Sequence, residues 1–174
     1  TLIELALYAI FATVFAAIGG IVGALLDRWL GARRAIITSL VMIMIAFFLQ
    51  LSITQDALFF GLISAGDDLW AAPVFNSRPD IVFLCLGGLI STFVAACISS
   101  SRSMLVLIAP QARMGEFFGL YAVVGTITVW LGPLLVETLT RMTGDQRIGM
   151  GSAGILFVVG LALLLRVRSE GRAS

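Results

Sequence analysis

Histidine and lysine are both missing from this chain of 174 residues, charged side chains make up only 12% of it, and there are two cysteines and four prolines. Without histidine there is no imidazole to act as a general base or as the usual metal ligand, which removes most nucleophile–base pairs and zinc chemistry. Cys85 and Cys97 lie twelve residues apart in one apolar run, roughly 18 Å on a helix at 1.5 Å per residue, too far for a disulfide. The remaining acids and serines form only weak constellations, so no catalytic residue, metal site or cofactor is expected and an enzyme reading is set aside. A formal charge of +1 gives no field for a nucleic acid or an acidic partner. The chain opens on Thr1 directly into apolar sequence, with no initiator methionine, basic leader or cleavage site, and it reads as a fragment or a processed piece.

What the chain has in excess is apolar surface. Hydrophobic residues make up 60% of it and the mean hydropathy is +1.08, against about 45 to 50% apolar in an ordinary soluble domain. Lipid must be the solvent for much of such a chain, so the expected class is an all-α integral membrane protein. Five runs are long enough to cross a bilayer, near 2–26, 35–53, 81–103, 116–136 and 148–167, with 54–80 read as an external loop. Within that loop Ala57 to Ser64 is too short to span; it either extends the second span or lies at the interface with Trp70 as an anchor.

The spans differ in kind. The first carries Ala12, Ala16 and Gly20, with Gly19 and Gly23 beside them, and the third repeats Gly88, Thr92, Ala96 and Ser100 every fourth residue; both stripes allow a neighbouring helix to approach closely. The second span, with Met42, Met44, Phe47 and Phe48, reads as bulky all round and is placed at the lipid periphery. In the fourth, Gly125 and Gly132 precede Pro133, which predicts a packing face and a kink.

Arginine supplies every basic charge, and its positions orient the chain. With the 27–34 segment inside, eight arginines (28, 33, 34, 102, 113, 166, 168 and 172) lie on the cytoplasmic side and three (78, 141 and 147) on the other. The positive-inside bias then places the N-terminus outside and the C-terminus in the cytoplasm, natural for a piece of a longer chain.

Two sets of motifs carry a resemblance. GALLDRWLGARR at 23–34 is similar to the signature loop of the major facilitator superfamily, where a glycine, an Asp-Arg pair, a second glycine and a basic pair join two spans. SSRS at 100–103, Pro110, GEFFGLY at 115–121 and LGPLL at 131–135 resemble the vacuole-effluxer-like branch of that superfamily, the autophagy-related amino-acid effluxers. The resemblance implies that the five helices correspond to spans eight to twelve of a twelve-span secondary transporter in a membrane such as the bacterial inner membrane. It also implies outer positions for the second and fifth spans, a small solute as substrate, amino acids in efflux among the options, and a missing N-terminal half as partner.

It further implies a cytoplasmic gate at Asp27, Arg28, Arg33 and Arg34, although Arg33 and Arg34 serve equally as topology determinants in anionic headgroups. Arg102, near the end of the third span, is expected to pair with Glu116 or Asp27, with snorkelling or contact with a substrate carboxylate as alternatives. Ser91, Thr92, Tyr121 and Thr128 are the candidate cavity residues, each also explicable by packing. A helical membrane scaffold that transports nothing would need only the small-residue stripes and is the competing function.

Overall fold

The structure, a computed structural model, describes residues 2–53, 57–58, 63–64, 75 and 77–166. Five helices are each long and apolar enough to cross a membrane: α1 (Leu2–Leu30), α2 (Ala32–Leu51), α3 (Arg78–Ile108), α4 (Met114–Thr143) and α5 (Gln146–Arg166). The protein is an all-α membrane protein. Two two-residue strands, β1 (Ala57–Leu58) and β2 (Ile63–Ser64), pair antiparallel. Since α2 stops at Leu51, the 57–64 stretch does not extend the second span. Trp70 and most of 54–80 lie outside the described residues.

The helices outrun the apolar runs, for local reasons. The polar segment 27–30 is helical, and Gly31 alone separates α1 from α2, at φ +80°, a conformation that L side chains rarely adopt. The amide of Gly31 still donates to the Asp27 carbonyl at 3.0 Å. At the start of α3, Ser77 and Asp80 form a capping box: the Ser77 hydroxyl accepts from the Asp80 amide at 3.3 Å and the Ser77 amide donates to the Asp80 carboxylate at 3.3 Å. Pro79 sits in the first turn, where its missing N–H loses nothing. The other end of α3 runs past Ser103 until Pro110 forces Ala109 into an extended conformation. In α4 the polar stretch from Glu137 stays helical, braced by the Glu137–Arg141 ion pair at 2.6 Å, until Gly144 ends it at φ +71°.

α1 and α3 run parallel. Tyr8 lies against Gly87, Phe11 and Phe15 against Gly88, and Gly23 against Ala96. Within the expected stripe Gly19 and Gly23 are buried and Ala12 and Ala16 half-buried, whereas Gly20 faces open space. A Cβ on Gly19 would run into the Thr92 carbonyl, and one on Gly23 would come within 2.9 Å of Ala96 Cα. On α3 the whole Gly88, Thr92, Ala96, Ser100 row is buried, so that stripe is a packing seam.

α2 packs on α3, and also meets α1 and α5. The expectation of a second span bulky on every side is corrected here. Ala32, Ala35, Ser39 and Ala46, with Ile36 and Ile43, form its buried face, while Val41, Ile45 and Phe48 are exposed. The small residues recur at spacings of three, four and seven, which a helix gathers on one side; Val41, Ile45 and Phe48 point elsewhere. α2 and α5 run antiparallel, with the Phe47 and Phe157 rings edge-on at 6.0 Å and Gly154 against Phe48 at 3.6 Å.

α4 and α5 form a hairpin, closest where Gly149 meets Thr140 and the Val136 carbonyl. α4 makes little contact with α3, and it has no buried residue. Gly125 and Gly132 face open space, and the helix continues unbroken through Pro133.

Candidate functional site

Because the helices alternate in direction, the described arginines divide by end. Arg28, Arg33, Arg34, Arg102, Arg113 and Arg166 gather toward the end where α1, α3 and α5 finish and α2 and α4 start; Arg78, Arg141 and Arg147 lie toward the other.

At the arginine-rich end, Arg28 and Arg34 are exposed and Asp27 and Arg33 half-buried. The Arg33 guanidinium donates to the carbonyl of Leu165, in the last turn of α5, at 3.1 Å. A cation in the last turn of a helix complements the negative end of its dipole. Arg33 therefore ties the start of α2 to the finish of α5, a role its position in the sequence did not reveal, because Leu165 lies 132 residues away. One carboxylate oxygen of Asp27 and Nε of Arg33 are buried without a hydrogen-bond partner. Among the described residues no ion pair joins Asp27 to Arg28, Arg33 or Arg34.

Arg102 is exposed and lines an open recess of about 500 Å³ with Ala95, Ile98, Ser99, Ser103 and Val106. These residues repeat every three or four along α3 and form one stripe of the helix. The Ser103 hydroxyl donates to the Ser99 carbonyl at 3.4 Å. Glu116, in the first turn of α4, is exposed, and among the described residues it forms no ion pair with Arg102. A guanidinium beside hydroxyls, without an acidic partner among the described residues, is chemistry that accepts a carboxylate.

The four cavity candidates are not brought together. Thr92 is buried, and its hydroxyl lies 2.9 Å from the Gly88 carbonyl and 3.2 Å from the Phe15 carbonyl of α1, where it fastens two helices. Thr128 is exposed and donates to its own helix at Val124, 2.8 Å away. Ser91 and Tyr121 are half-buried, on α3 and α4. Ser99 and Ser103 are the hydroxyls beside Arg102; the signal for them was the spacing of three and one from that arginine. Among the described residues no group of three or more His, Cys, Asp and Glu could hold a metal ion.

The profile of the family described as "Vacuole effluxer Atg22 like" matches residues 2–173. An uncharacterized MFS-type transporter, YxiO, of Bacillus subtilis (strain 168) is 33% identical over 88 residues, which cover 51% of this chain and 21% of that protein. The match thus spans about a fifth of the relative's length. No solved structure matches. With five membrane-crossing helices, the arginines gathered toward one end and a profile match over nearly every residue, the chain belongs to the vacuole effluxer Atg22-like family of transporters of the major facilitator type.

Proposed function

We propose that this chain supplies spans eight to twelve of a twelve-span secondary transporter that moves a small carboxylate-bearing solute, of the amino-acid class, by alternating access. The family match supports the transporter class, and the word effluxer in the family description favours export from the compartment it faces. The arginine distribution supports an N-terminus outside and a C-terminus in the cytoplasm, and the membrane is taken to be the inner membrane of a bacterium.

The observation that carries the solute assignment is the exposed Arg102 guanidinium over its recess beside Ser99 and Ser103. A solute carboxylate that neutralises this guanidinium in one state and leaves it to Glu116 in the other would bias the exchange between the two. Asp27, Arg28, Arg33 and Arg34 belong to the cytoplasmic gate, where the absent N-terminal half supplies the opposing groups. Arg33 holds α5 on its side of that gate while Asp27 and Arg28 meet the other half. Glu116 meets Arg102 only in a state other than this one. Pro133, with Gly125 and Gly132, lets α4 bend as the two halves rock.

The test is transport by the full-length parent in proteoliposomes. Losing a charge-assisted hydrogen bond of about 1.5–3 kcal/mol, Arg102→Gln should slow amino-acid flux by roughly 10- to 150-fold, with partial recovery in Arg102→Lys. Asp27→Ala should reduce flux without affecting membrane insertion. Unchanged flux in Arg102→Gln would remove the solute assignment, and recovery in a variant with Arg102 and Glu116 exchanged would replace it with a structural ion pair.

A further inference from the structure

The cleft between α2 and α5 has two chemically different parts. Deep in the span it is a groove of about 410 Å³ lined almost wholly by carbon, from Val41, Met44, Ile45, Phe48 and Leu49 of α2 and Leu161 of α5. Toward the arginine-rich end α2 carries Arg33 and Arg34 in its first turn, and α5 carries Arg166 in its last turn. The contact of Arg33 with Leu165 brings the two helices together there, and Arg166 is the next residue of the chain. Arg34 and Arg166 are exposed.

We propose that this cleft is a binding site for an anionic phospholipid, with the headgroup phosphate held by Arg34 and Arg166 and one acyl chain lying in the groove. Charge complementarity favours this occupant. Among the described residues six arginines lie toward this end against two acids, Asp27 and Glu116. The first turn of α2 contains two arginines and no acidic residue. The Leu165 carbonyl supplies Arg33 with a partial charge only, and its Nε has no partner. Basic groups between helix ends at a membrane surface attract anionic headgroups.

Dimensions agree with one chain of a lipid in that leaflet. Leu161 is one turn, about 6 Å, from Leu165, and an acyl chain descends about 15 Å to the bilayer midplane. The chain of a lipid anchored at Arg34 and Arg166 therefore reaches the part of the groove walled by Val41 and Leu161.

Native mass spectrometry of the detergent-solubilised chain, titrated with dioleoylphosphatidylglycerol, dioleoylphosphatidylcholine or inorganic phosphate, tests the site. The glycerol lipid should be retained at least tenfold better than the choline lipid, and millimolar phosphate should not displace it. With each arginine near the surface contributing about fivefold, Arg34→Gln with Arg166→Gln should weaken retention of the anionic lipid about 30-fold. Val41→Trp, which fills the groove and leaves every charge in place, should lower retention of the same lipid severalfold. Equal retention of the two lipids, displacement by free phosphate, or full retention in either variant would overturn the proposal. Both arginines are exposed, so the charge variant should fold; if one variant does not yield a helical monomer, the other decides alone.

Discussion

Single residues in this protein divide by what a side chain would meet. At Gly19 the backbone of α3 lies where a Cβ would go, whereas Gly125 has nothing within 4 Å. Gly19→Leu should therefore force α1 and α3 apart and destabilise the bundle by about 1–3 kcal/mol, while Gly125→Ala should leave stability unchanged or raise it by up to about 1 kcal/mol through helix propensity. Thermal unfolding of the two variants in the same detergent separates them, and equal midpoints would mean that the α1–α3 seam is looser than described. Sequence spacing locates the small residues of both helices, but it does not tell that Gly19 and Gly23 enter the seam while Gly20 stays out of it. Adjacent rows of small residues differ by only about 100° of helix rotation, and composition alone does not tell which row faces the neighbour. Thr92 and Arg102 illustrate the same limit for function. Both are polar groups on α3, yet the threonine is used between helices and the arginine stands over open space.

At the scale of the helix, ends are set by a few residues with definite backbone demands, not by where hydrophobicity stops. Glu137 to Thr143 looked like a polar connection and is helix, because a helix in water at the membrane edge needs only i, i+4 support such as Glu137–Arg141 and a stop such as Gly144. Ser77–Asp80 carried a capping-box pattern in plain view, and it moves the start of α3 three residues earlier than the apolar run. Tertiary contact enters at the finish of α5, where Arg33 binds the Leu165 carbonyl. Arg33→Gln should keep all five helices and loosen that last turn. Hydrogen exchange of the amides at 162–166 should rise severalfold with the amides of α3 unchanged, and unaltered exchange would show that the contact does not hold α5.

For the whole molecule, the distribution of burial is uneven. α2 and α3 carry most of the buried residues, whereas α4 has none and presents Val129 and Trp130 at 71% and 75% exposure. α4 is fastened through α5 and lacks the cover its neighbours share. In the solubilised chain its amides should exchange faster than those of α3 by a margin that reflects a separate, weaker unit. Uniform protection across both helices would instead mean that the five pack as one cooperative body. In a twelve-span parent, the same comparison should show α4 slowed toward the rate of α3 once the remaining spans cover it.

Composition, the five apolar runs and the arginine positions determined on their own that this is a helical membrane protein with one basic end, because the bilayer leaves a spanning chain few options and each requirement is written in consecutive residues. The motifs at 23–34 and 100–135 were enough for the family. Tertiary structure alone decided which glycines lie in the seam, that α2 has a small buried face, that Arg33 binds the Leu165 carbonyl of α5, and that Arg102 stands over a recess without an acidic partner among the described residues. These facts depend on helix rotation and on contacts between residues far apart in the chain, which no local pattern encodes.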